Sequence, residues 1–294
     1  MTQTALASPC TGICKLDDTT GWCLGCARSG VEIADWRTQS ESWRDQLWSE
    51  LPERLAKLGV ACRRLPWSTQ EIVAFVTETL VRDRGTWVMG VVGAVAEFSP
   101  SAGQPRSSKV TDAAITAHTS GGALRMMIDD SVRAVTFDPA STPTEAIRIV
   151  LAVKRERGRL PVADQITDLN EDPSCLIERD AGRLFDLGLG RKEARFCVRA
   201  TSDKVRSALA KVAGQPLSTC LSTLGPTLIH HSPSRVVETA LGRIEVHSPI
   251  PKPGARSPDG PHTHLLPDHL ATGRCMPVGM DLPRAYLPGA IFYP

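Results

Sequence analysis

Several features that announce a function are missing from this sequence. The longest apolar stretch, residues 87–96, has ten residues and two of them are glycines. A bilayer-spanning helix needs about 20, so no membrane segment is expected. Neither charge is in surplus: 34 Lys+Arg stand against 32 Asp+Glu, a net of +2. That balance leaves no basic face for a general binder of nucleic-acid phosphates. Residues 1–8 have neither a basic start nor an apolar core, so no export signal is read and a cytoplasmic location is expected. There is no G-x-G-x-x-G, no phosphate loop ending in Gly-Lys-Ser/Thr, no G-x-S-x-G elbow and no H-E-x-x-H. The common signatures of dinucleotide, phosphate, hydrolase and zinc-protease sites are thus absent. With 294 residues, 41% of them hydrophobic, the chain is long enough for one or two soluble domains.

Cysteine is what the chain does have. There are nine, an odd number in a chain that is not small and carries no export signal, so reduced thiols are expected rather than a disulfide framework. Cys10, Cys14, Cys23 and Cys26 fall within seventeen residues, spaced C-x3-C-x8-C-x2-C. Two short-spaced pairs joined by a brief loop bring four sulfurs to one centre without a long chain closure. Gly12, Gly21 and Gly25 permit tight turns whose amides can point at sulfur, and Ile13, Trp22 and Leu24 are placed to shield it. The expectation is four-thiolate metal ligation. This spacing is neither the twin C-x2-C zinc pattern nor a common ferredoxin run, which leaves zinc and an iron–sulfur cluster both open.

The next segment reads as helical. Ser29 to Glu32 and Thr38 to Glu41 have the form of capping boxes, and Ile33 with Trp36, then Trp43 with Leu47, share helix faces. Pro52 is expected to start a last helix that Gly59 closes. Tryptophans at core spacing make a thin core, which a metal centre would supplement.

Taken together, Ser8-Pro9-Cys10, Cys14, Trp22-Cys23-Leu24-Gly25-Cys26, Arg28, Glu32-Ile33-Ala34-Asp35-Trp36 and Leu51-Pro52-Glu53-Arg54 resemble the short bacterial family catalogued as domain of unknown function 1289. Its members are usually labelled predicted Fe-S proteins. The resemblance covers about the first fifth of the chain and implies that Cys10, Cys14, Cys23 and Cys26 are the ligands. One departure is Ala27-Arg28-Ser29, where the family is expected to have a glycine or a threonine.

Past residue 62 the cysteines thin out and apolar stretches alternate with Gly and Pro, so the chain divides into a four-cysteine module, 1–62, and a larger domain, 63–294. Ser68 to Glu71 caps a helix reaching about residue 82, with Ile72, Phe75, Val76 and Leu80 turned inward. Residues 86–98 read as a buried strand or a hairpin broken at Gly90 or Gly93. Strands are expected at 123–128 and 133–137, joined by the turn 129–131, and at 195–200. Helices are expected at 142–158 and 202–213, and a hairpin at 236–246 turning around Gly242. The fold class is α+β: a small cysteine-rich helical module followed by a larger mixed domain with a Pro-rich C-terminal tail. Asp168, Asn170 and Asp172 imitate a calcium loop, but Pro173 and Arg179 stand where that loop requires Gly and Glu.

Histidine is the other chemical signal. Six of seven lie after residue 229: His230, His231, His247, His262, His264 and His269. On an extended chain His262 and His264 would face the same side, and His269 or His247 would supply a third imidazole for a metal. Segment 260–267 resembles only uncharacterised bacterial proteins. The last 47 residues contain 10 of the 22 prolines, the composition of an extended tail whose histidines bond to unpaired backbone. Three functions follow: an iron–sulfur protein in electron transfer or redox sensing, with a redox or protein partner; a structural zinc module that serves as an interaction platform; or a metal-dependent enzyme that uses the C-terminal histidines.

Overall fold

The computed structural model describes residues 8–91, 94–100, 107–111, 114–137, 148–157, 160–161, 163–177, 181–190, 194–250, 263–265 and 282–294. The candidate ligands His262 and His269 lie outside them.

The chain opens with an irregular hairpin. Leu16 pairs with Cys23, and Trp22 with Ser29, as isolated antiparallel bridges. Asp17 closes its tip, its carboxylate accepting from the amides of Thr19 and Thr20 and from the Thr20 hydroxyl. Helix α1 (Gly30–Asp35) follows with both halves of the expected capping box, Ser29 and Glu32. Helix α2 (Glu41–Lys57) is capped by Ser40 rather than Thr38, and it runs without a break through Pro52. Its face of Leu47, Trp48, Leu51 and Leu55 packs with Trp36 and Ala27 into a core separate from that of the larger part. This packing outweighs the donor that Pro52 lacks, so the helix expected to begin at Pro52 is the second half of α2.

The larger part begins with β1 (Arg63–Arg64) and α3 (Thr69–Val81). Helix α3 has the predicted Ser68 cap and buries Ile72, Val76, Thr79 and Leu80. The strands are β2 (Thr86–Val91), β3 (Ala94–Phe98), β4 (Ser107–Val110), β5 (Ile115–His118), β6 (Gly122–Met126), β7 (Val132–Thr136) and β8 (Ile149–Lys154). Next come β9 (Thr167–Glu171), β10 (Arg183–Asp186), β11 (Arg195–Ala200), helices α4 (Asp203–Lys211) and α5 (Leu217–His231), and strands β12 (Ser234–Glu238), β13 (Gly242–Val246), β14 (Thr263–Leu265) and β15 (Tyr286–Tyr293).

They form two antiparallel sheets, ordered β1-β7-β8-β15-β2-β3-β14 and β4-β5-β6-β13-β12-β11-β10-β9. The sheets meet through β3 against β6 and β13, and β12 against β2 and β3. Trp87, Met89, Phe98, Leu124, Val198 and Ile244 belong to the one core between them, to which α3, α4 and α5 add their apolar faces. Strands β6 and β7, though joined by the expected turn, lie in different sheets, so the turn is a corner and not a hairpin.

Three further elements differ from expectation. Residues 149–154, expected within a helix, are the strand β8. Leu151 and Val153 face the main core, while Val150 and Ala152 face a second apolar cluster with Tyr286 and Ile291. A run that is apolar on every residue suits a strand covered on both faces better than a helix with one polar side. The end of the Pro-rich segment is also a strand: β15 sits between β8 and β2, and Pro288, which has no amide to donate, falls where the register shifts. Helix α5, not read from the sequence because Pro226 interrupts its pattern, buries Cys220, Leu224 and Leu228 at four-residue spacing.

Candidate metal centre

The first cysteine pair lies on the chain entering the hairpin and the second on its return. Cys23 and Cys26 are buried, Cys10 is half-buried and Cys14 is exposed. The turn from Cys23 is closed by the Ala27 amide, which donates to the Cys23 carbonyl at 2.7 Å. Ala27 itself is left-handed at φ +57°. Gly25 sits where a Cβ would come within 2.5 Å of Thr11 Oγ1, so the two cysteine segments cross there at glycine-only distance.

Three N–H groups donate to sulfur: Gly12 N to Cys10 Sγ at 3.3 Å, Gly25 N to Cys23 Sγ at 3.4 Å, and Arg28 Nε to Cys26 Sγ at 3.4 Å. Gly21, expected to do the same, instead donates to Asp17 O at 2.9 Å and closes the hairpin tip. The sulfurs also sense one another. The Cys14 thiol is pushed up first by Cys10, then by burial and by Cys23, and the Cys26 thiol is raised by burial and by Cys23 against the lowering pull of Arg28. Mutual repulsion among thiolates is what a cation between them would relieve. Among the described residues no three of these sulfurs lie within 4.8 Å of one another.

Arginines surround the module. Arg28 lies over the Trp36 ring, 4.9 Å from its centroid, and Arg54 over Trp22 at 5.3 Å. Arg54 also pairs with Glu32 at 2.9 Å and Glu50 at 2.6 Å, tying α1 to α2. From β1, Arg64 reaches back so that its Nη1 donates to the carbonyls of Ser8 and Cys10. Burial, with Arg133 and Arg28 nearby, lowers the Arg64 pKa to about 10. Beside it a cavity of about 160 Å³ is lined by Pro9, Cys26, Trp48, Leu51, Arg63 and Arg64.

The histidines are placed differently. His264 is on β14, paired through its backbone with Val95. His247 Nδ1 lies 2.9 Å from Ser234 Oγ, and its Nε2 is 3.9 Å from Glu245. His230 and His231 contact each other edge to face at the end of α5, and His231 lines an open groove of about 540 Å³ between α4 and α5. Among the described residues no histidine joins two other ligating groups within 4.8 Å.

Sequence reasoning missed a buried ionic cluster on the outer face of the second sheet. Asp172 takes Arg199 Nε at 3.0 Å and Arg243 Nη2 at 2.8 Å; Glu245 takes Arg199 Nη2 at 2.5 Å and Arg243 Nε at 3.1 Å. Cys175 Sγ lies within 4.8 Å of both carboxylates. Two guanidinium groups already fill that space with positive charge, which makes it a balanced ion network and a poor cation site. Its residues come from β11, β13 and the segment after β9, so no local motif marks it. Asp168 of the calcium-like run is paired with Arg183 at 2.7 Å.

Two families match. The one described as "Family of unknown function (DUF6925)" matches residues 71–294, and the one described as "Protein of unknown function (DUF1289)" matches residues 8–55. No curated protein and no solved structure matches. Among the described residues no helix is long and apolar enough to cross a membrane.

Proposed function

The chain belongs to the family of unknown function DUF6925 through residues 71–294, and on that premise we propose that its metal chemistry lies outside that domain, in an iron–sulfur centre held by Cys10, Cys14, Cys23 and Cys26. The module serves electron transfer or redox sensing in the cytoplasm. The observation that carries this reading is the set of donors aimed at sulfur, Gly12 N, Gly25 N and Arg28 Nε. Amide and guanidinium N–H groups directed at thiolates stabilise their charge and tune a bound centre. A bound cluster would supply one-electron chemistry. The protein's own part is to hold the thiolates, to bury Cys23 and Cys26, and to leave the Cys14 side exposed towards a partner.

The test is anaerobic purification of the full chain with iron, labile sulfide and zinc assays and a visible spectrum. Iron, sulfide and a coloured protein are expected, and Cys10→Ser or Cys26→Ser should each lose the metal while the larger domain stays folded. A colourless protein with one zinc and no labile sulfide would sink the iron–sulfur reading.

A further inference from the structure

Arg28 and Arg64 are buried, with only 3% and 6% of their surface exposed, and among the described residues neither pairs with an Asp or Glu. Arg28 has Cys26 Sγ, Ser8 Oγ at 3.4 Å and the Trp36 face. Arg64 has the carbonyls of Ser8 and Cys10, while its buried Nε and Nη2 have no hydrogen-bond partner among the described residues. Among the described residues, Arg133 and Arg28 repel Arg64, while Tyr286 and Cys10 act on it in the opposite direction. Two buried cations without a carboxylate are costly unless an anion lies beside them. Both converge on the segment bearing Cys10, one from the module and one from the larger domain.

We propose that Arg64, together with Arg28, is the counter-charge of the four-thiolate centre, so that a loaded centre pins the module to the larger domain and an emptied one releases it. This rests on the four-cysteine reading above. Thiolate-ligated zinc or iron–sulfur centres carry net negative charge, which neutralises the arginine pair, and the same arginines offset the mutual repulsion of the thiolates. Arg64 lies in residues 56–70, between the regions matched by the two families, where a contact specific to joining them belongs. Its role is positioning: it touches the ligand-bearing loop and acts on the centre through charge. Metal loading thereby becomes a signal that the larger domain can sense.

The experiment compares full-length, anaerobically prepared Arg64→Gln and Arg64→Lys with the parent. In Arg64→Gln the midpoint potential falls, because loss of a nearby cation disfavours the added electron, and limited proteolysis cuts the connector 58–62 about tenfold faster or more. Arg64→Lys keeps the charge without the planar fork, so it recovers the potential and part of the protection. Loss of metal in Arg64→Gln with retention in Arg64→Lys also supports the proposal. Equal loss in both overturns it, as does a loaded Arg64→Gln with parental potential and cleavage rate. A parent chain that takes up no metal fails the four-cysteine reading and this proposal together, whereas a loaded parent with an indifferent Arg64→Gln fails this proposal alone.

Discussion

Ala27 shows how much one residue in the cysteine turn has to do. Its φ is +57° and its side chain is fully buried among Trp36, Leu47 and Leu51. A left-handed conformation disfavours any residue with a Cβ by about 1–2 kcal/mol, yet the buried methyl recovers about 0.8 kcal/mol. Burial thus offsets part of the cost of an alanine in a turn where a glycine or a threonine is expected. Ala27→Val has no such offset: a β-branched residue at positive φ is a genuine outlier, and overpacking adds about 1–3 kcal/mol. Thermal unfolding should show the module destabilised by at least that amount. The four cysteines were legible because ligands of one centre sit close together in sequence. Arg64 was not, because its partners Ser8 and Cys10 are more than fifty residues away. The remaining thiols differ in kind: burial pushes Cys62 up to about 11 and Cys197 well above the ordinary value, which disfavours their thiolate forms.

Among the elements, α2 and β8 show where local pattern reading fails. Pro52 looks like a helix start, but Leu47, Trp48 and Leu51 before it and Leu55 after it share one buried face, and tertiary packing carries the helix through. Replacing it should then help: Pro52→Ala is expected to raise the stability of the module by about 1–3 kcal/mol in urea unfolding, since proline costs about 3 kcal/mol inside a helix. A loss of stability would show that the ring's packing beside Cys26 matters more than the missing donor. In β8 the cap-like residues 142–145 suggested a helix, but the run that follows has no polar face to offer solvent. Only a strand enclosed between β7 and β15 and covered on both sides satisfies it. By contrast α3, α4 and the hairpin of β12 and β13 were legible, because their caps, periodicity and turn residues agree.

For the molecule as a whole, acid stability should follow the Asp172 network. Burial raises the Asp172 carboxyl, but Arg243 and Arg199 outweigh it and hold the pKa below the ordinary 3.8. A depressed folded pKa means that this stabilisation is whole above about pH 3.8 and is lost as pH falls through the lower folded value. Asp172→Asn should remove that part of the acid dependence and cost about 3–5 kcal/mol at neutral pH, because two buried arginines lose a charged partner; denaturant titration from pH 7 to 3 measures both. A flat difference across that range would assign the acid loss elsewhere. The sequence by itself determined the cysteine spacing, the short caps and the α+β class, since each depends on residues within a few positions of one another. Only the tertiary structure decided that the C-terminal residues close the middle of a sheet, that Asp172 and Glu245 share two arginines, and that Arg64 meets the cysteine loop. Those are pairings across tens of residues, where the packing of two sheets and a module sets which charges are buried together.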